Sequence, residues 1–202
     1  MLKKIFILFL LLAGTNLYAN DCVKYKMTPV VNMTVPEYTT RVIQPVEPMN
    51  KYHGNVVATL VQDFDLVVDI IMANGGYCVV IKNIDADIGY NDFEIKIDQS
   101  NKKNSCTYDA ILNHEKKHIN AYLSVIYDMK SDLESSVFNA ANSVMPVFVA
   151  QRDDLDNAIE KMNLEIQSHP DIILIKQKIN AAVEIRNKRI DQNETNEELN
   201  KC

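Results

Sequence analysis

Basic charge is what this sequence has least of: 21 lysines and arginines stand against 27 acids over 202 residues, a formal net charge of −6. Nucleic acids and anionic membranes are held through clustered basic side chains. Only scattered pairs such as Lys102-Lys103 and Lys116-Lys117 occur here, so neither is expected as a partner. Long apolar runs are missing as well. The stretch Ile5 to Ala13 falls well short of the roughly 20 residues that a bilayer-spanning helix needs, and no stable membrane insertion is expected. Nor does any internal repeat or low-complexity tract appear.

The first residues spell an export signal. Met1-Leu2-Lys3-Lys4 precedes the apolar stretch Ile5 to Ala13, a break at Gly14 and the small-residue end Leu17-Tyr18-Ala19, which is the layout of a secretory signal peptide cut after Ala19. Asn20 and Asp21 precede Cys22 where a lipoprotein signal needs small uncharged residues, so lipidation is not expected. Loss of Lys3 and Lys4 takes the net charge from −6 to −8. The expected protein is exported, periplasmic or secreted. Its expected organisation is a signal at 1–19, an α+β domain at 20–145, and a helical extension at 146–202 packed on the same domain.

All four cysteines, Cys22, Cys78, Cys106 and Cys202, lie in the exported part. An even count in an oxidising compartment favours disulfides over metal ligation. Of the three possible pairings, Cys78 with Cys106 and Cys22 with Cys202 is expected, the first bracketing a compact β segment and the second tying the chain ends together.

Pro29, Pro36, Pro45 and Pro48 among β-branched residues predict extended backbone over 24–50. Residues 55–73 are open between helix and strand: Val56, Val57, Leu60, Phe64, Val67, Val68 and Ile71 fit helical spacing, while their β-branched content pulls toward strand. Asn74-Gly75-Gly76 is a turn. Tyr77 to Ile84 and Asp92 to Asp98 read as strands joined as a hairpin through Asp85 to Asn91. A helix is expected from Thr107, its N-cap, without interruption to Pro146, because no Gly or Pro occurs between them. Leu155, Ile159, Met162 and Ile166 predict a second helix. Ile172, Ile175, Ile179 and Val183 predict a third beyond His169-Pro170, and the last dozen residues read as solvated. The fold class is therefore α+β: a small antiparallel β portion on a long helix, followed by C-terminal helices.

That long helix carries His114-Glu115-Lys116-Lys117-His118, an HExxH motif. Residues four apart stack on one helix face, so both imidazoles can reach one divalent ion while the Glu leans toward the same side. At about 100° per residue from His114, His118 falls near 40° and Glu115 near 100°, roughly on the apolar stripe of Ile111, Tyr122, Ile126, Met129 and Leu133. Asn113, Lys116, Lys117, Asn120 and Ser124 fall on the opposite face. A Glu on an apolar stripe is costly without a partner. His114 and His118 are thus expected as metal ligands and Glu115 as catalytic base, with one Zn²⁺ per chain and a peptide or protein as substrate. The plainer reading is that these three polar groups are satisfied by ordinary hydrogen bonds.

Cys78-Val-Val-Ile, Phe93-Glu-Ile-Lys-Ile-Asp98 and Cys106-Thr-Tyr-Asp-Ala-Ile-Leu-Asn-His114-Glu-Lys-Lys-His118 together resemble an uncharacterised bacterial family of exported, predicted zinc-dependent proteases, over roughly residues 75–125. The resemblance implies a zincin-like core with His114 and His118 as ligands and Glu115 as base, and it names no substrate. Ala121 and Ser124 stand where a metzincin has its glycine and third histidine, which excludes that class. Asp128 and Glu134 match the looser spacings of other zincins. On an unbroken helix, however, Asp128 lies about 15 Å along the axis from His118. The candidates for the third ligand are His53, Asp98 and His169. A rival reading from another class makes the helical half, Thr107 to about Asn193, a scaffold that binds an envelope partner, with a structural metal or none.

Overall fold

The computed structural model describes residues 22–45, 47, 49, 54–199 and 202; the segment expected to be a signal peptide and His53 lie outside them. The fold is α+β. Strands β1 (Val30–Thr34), β2 (Thr39–Ile43), β3 (Gly54–Ala73) and β4 (Gly76–Ile97) precede helices α1 (Cys106–Asp128) and α2 (Lys130–Ser143). A short strand β5 (Val147–Val149) and helices α3 (Leu155–Gln167) and α4 (Pro170–Leu199) follow, the last two separated at His169-Pro170 as the spacing predicts.

The segment left open at 55–73 is strand throughout. Asn74 and Gly75 link it to β4, with Gly75 at φ 81°, a conformation that costs glycine little and favours a two-residue hairpin turn. β4 is the common partner of β1, β2, β3 and β5 in a five-stranded sheet. The sheet is mixed. β2 runs parallel to β4 in the register Thr39↔Asp92 to Ile43↔Lys96, while β5 pairs antiparallel, Tyr77↔Val149 to Val79↔Val147.

Two sequence expectations fail along β4. The hairpin expected over Asp85 to Asn91 is absent, and the strand continues through it. Its acids are not turn residues but the exposed face of the strand. Asn32 donates to Asp85 at 2.8 Å, Thr34 to Asp87, and Thr39 to Asp92 at 3.3 Å. The burial rhythm is Ile84, Ala86, Ile88, Tyr90 and then Phe93, Ile95, Ile97. This one-residue slip at Asn91-Asp92 is what a bulge produces, and it breaks the alternation that identifies a single strand. The second failure follows from the first. Without a turn at 85–91 the chain does not double back between Cys78 and Cys106, and the disulfides are instead Cys22–Cys78 and Cys106–Cys202. These two links fit an exported protein. No helix among the described residues is long and apolar enough to cross a membrane.

The chain divides into two compact units, one containing Phe64–Ala86 and Glu134–Ile173 with the residues up to Asn32, the other Met33–Asp63, Asp87–Leu133 and Leu174–Cys202. The first is built on the opening half of β4, where Cys78 to Ile81 are all buried, together with Val137, Ala140, Met162 and Ile166 from its helices. The second is built on the closing half of β4, whose Phe93, Ile95 and Ile97 are fully buried, with Ile119, Val125 and Ile126 of α1 and Ile179 and Val183 of α4. In the second unit, ring contacts link Phe93, Tyr90 and Tyr122, the Tyr90–Tyr122 centroids lying 4.9 Å apart.

The N-cap of helix α1 lies two residues earlier than expected. Ser105, not Thr107, is the N-cap, its hydroxyl accepting from the Tyr108 N–H at 3.2 Å, and Asp109 adds a carboxylate to the first turn, where the helix dipole favours it. The helix also ends sooner, at Met129 (φ −97°, ψ 7°), with no Gly or Pro to announce it.

Candidate metal centre

Within the second unit α1 turns Glu115 and His118 inward as its wheel predicts, while Lys117 and Ser124, expected on the opposite face, are half-buried. Glu115 and His118 are buried, at 4% and 8% exposure, while Asn113, Lys116 and Asn120 are exposed. Two imidazoles one turn apart meet edge to face, with centroids 4.9 Å apart at 80°. Their Nε2 atoms lie 3.2 Å from each other.

A third group completes the cluster, and it was not among the sequence candidates. Asp191 of α4 places Oδ1 3.3 Å from His114 Nε2 and 3.1 Å from His118 Nε2. The three atoms form a near-equilateral triangle. Ligand atoms about 2.0–2.1 Å from a zinc ion at tetrahedral angles lie about 3.3–3.4 Å apart, so the donor set fits one face of such a polyhedron, and His/His/Asp is an ordinary zinc ligand chemistry. These are the His, Asp, Glu and Cys groups that could hold a metal together among the described residues.

The two histidines are supported unequally. Asn187, one helical turn before Asp191, offers Oδ1 at 3.0 Å to His118 Nδ1. With Nδ1–H donating there, the Nε2 lone pair faces the cluster, the arrangement in which a ligating histidine is usually held. His114 Nδ1 is buried with no hydrogen-bond partner. Arg186 fixes the same stretch of α4, donating to Ser124 Oγ and, at 2.6 Å, to Asp128 Oδ2. Asp128, considered as a ligand from spacing, is therefore an ion-pair partner.

Burial, and then the Asp191 carboxylate, push the Glu115 carboxyl up to about 7. A cation among the three donors would act in the opposite direction. Gly54, the first residue of β3, lies against this carboxyl: a Cβ there would collide with Glu115 Oε1 and come within 2.6 Å of Ile111 Cγ2. A cavity of about 570 Å³ opens beside the cluster in the same unit, lined by Leu60, Tyr90, Tyr122, Asn187, Lys188 and Asp191 among others. Burial, and then Tyr122, raise the Tyr90 phenol to about 12, so it stays protonated at neutral pH.

The remaining ligand candidates fall elsewhere. Asp98 organises the loop after β4, accepting from the Met49 N–H at 2.7 Å and from the Ser100 N–H at 2.8 Å. His169 belongs to the first unit, where its Nδ1 accepts from the Asp171 N–H at 3.2 Å near the start of α4. His53 is outside the described residues. A signal for Asp191 did exist in the sequence. The stripe Ile172, Ile175, Ile179, Val183, continued in steps of four, lands on Asn187 and Asp191, so an apolar face turns polar where it meets the motif.

Compared with known proteins, the chain matches no family model, no curated protein and no solved structure.

Proposed function

We propose that this protein is a zinc-dependent metallopeptidase of the periplasm or secreted fraction, with His114, His118 and Asp191 holding one Zn²⁺ and Glu115 as catalytic base. The observation that carries the reading is the triangle of three donor atoms, 3.1 to 3.3 Å on a side, beside a buried carboxyl. Three lone-pair-bearing atoms gathered so closely repel one another unless a cation or protons sit among them. Zinc at such a position supplies Lewis-acid polarisation of a carbonyl and acidification of a water. Glu115, next to His114 in the chain and buried beside the donors, would take the proton of the attacking water and return it to the leaving amine. Asn187 holds His118 in the required tautomer.

β2 already pairs with residues 92–96 in parallel register, so that side of β4 is not open to an added peptide strand. The cavity beside Asp191 offers space for a peptide next to the donors.

The test is elemental analysis joined to cleavage of a peptide library. About one zinc per chain is expected, with cleavage lost on chelation and restored by zinc. Glu115→Gln should retain zinc and cleave about 10²- to 10⁴-fold more slowly. Undiminished cleavage in that variant removes Glu115 from the mechanism. A zinc-bearing protein that cleaves nothing would favour the metal-stabilised binding module, and a chain without stoichiometric metal the plain scaffold.

A further inference from the structure

The segment of α4 that carries Asp191 has little core of its own. The helix buries Ile175, Ile179 and Val183 in the second unit, and from Arg186 to Gln192 no residue is buried. What holds this stretch is polar and partly exposed: Arg186 with Ser124 and Asp128, and Asn187 with His118. The Arg186 and Asp128 side chains are 35% and 62% exposed, and pairs of that kind contribute little to stability.

A covalent constraint is added to these contacts. Cys202, beyond α4, is bonded to Cys106, the first residue of α1. The helix that supplies two histidines and the helix that supplies the carboxylate are thereby joined covalently. Both cysteines of this link are exposed, whereas Cys22 and Cys78 have no exposure at all.

Resting on the metal reading above, we propose that the Cys106–Cys202 disulfide is a redox control on the metal centre: closed, it keeps Asp191 at the two histidines, and opened, it releases Asp191 and the zinc with it. Tethering raises the effective concentration of the third ligand at the other two, and cleavage of the tether forfeits that gain. A dithiol reductant suffices for the opening. One of its thiolates attacks a sulfur of the link to give a mixed disulfide, and its second thiol resolves it. Two electrons and two protons pass to Cys106 and Cys202, and the reductant leaves as its own disulfide. The buried Cys22–Cys78 link resists the same reagent through lack of access. The centre therefore loads most readily where the compartment keeps the exposed link oxidised.

The experiment compares zinc affinity, read by competition with a chromophoric chelator, between the intact chain and Cys106→Ser/Cys202→Ser, with amide exchange recorded on both metal-free proteins. A fall in affinity of about tenfold or more is expected, together with faster exchange over residues 184–192 and unchanged protection over 175–183. If the double variant does not fold, native reduction of the exposed link by a water-soluble phosphine, with Cys22–Cys78 retained, supplies the same comparison. Zinc bound as tightly with the link open as closed overturns the proposal and leaves the metal reading standing. An intact oxidised chain that binds no zinc overturns both.

Discussion

The two units are built from the same materials, half of β4 and helical segments with one disulfide each, yet they place polar groups in opposite ways. In the first, all the buried side chains among the described residues are apolar or disulfide cysteines; the four buried polar or charged residues, Asp98, Asn101, Glu115 and His118, all belong to the second. Both buried polar atoms without a partner, Gln62 Nε2 and His114 Nδ1, are there too. A buried, poorly satisfied polar group costs free energy. Among the described residues the second unit carries all of these groups and the first none, which is the pattern expected if the second unit gives up stability for the proposed chemistry.

Substitutions can break this contrast. The largest effect is expected from Ile84→Ala, which empties a fully buried site in the first unit and should cost about 2–5 kcal/mol in denaturant unfolding. Zinc stoichiometry should remain about one per folded chain, and zinc lost from the folded variant would deny the division of labour.

Next comes the pH dependence of the metal-free protein. Glu115 keeps its proton to about pH 7 in the folded state but only to about 4.5 in the unfolded one, so the folded state binds more protons between those values. Its contribution to stability is full below about pH 4.5 and is lost as pH rises toward 7. Unfolding midpoints measured in chelator should decline across that window. Glu115→Gln should flatten the decline, and a wild-type midpoint that rises there would contradict the assignment.

Asn187→Ala sharpens the comparison within the second unit. Removal of the acceptor that orients His118 should weaken zinc binding about 10- to 100-fold, as read by chelator competition, with little change in the unfolding of the metal-free protein. The smallest effect is reserved for a surface pair of the first unit. Lys82 and Asp69 are 3.6 Å apart and about half exposed, so Lys82→Ala should shift stability by less than about 1 kcal/mol.

What could be read from the sequence follows the range of the interactions involved. The inward turn of Glu115 and His118 was legible because helical periodicity is local. So were α3 and α4, each announced by an apolar stripe and by His169-Pro170 between them. The long strand β4 was misread because its polar residues at 85, 87 and 91 and the slip at Asn91-Asp92 imitate a turn. Asp191 lies 77 residues from His114, and nothing local distinguishes it from the acids around it except its step along the stripe. Disulfide pairing depends on where the chain doubles back, so the error in β4 carried over into it.

Gly54 has a consequence for sequence drift. Its hydrogen leaves the room that Glu115 Oε1 and Ile111 occupy, so every other amino acid would displace these side chains or the helix that bears them. In a saturation library selected for zinc-dependent cleavage, position 54 should return glycine as stringently as position 115 returns glutamate. A screen that merely required a folded chain should be more permissive there, because it tolerates displacement of both the Glu115 and the Ile111 side chains.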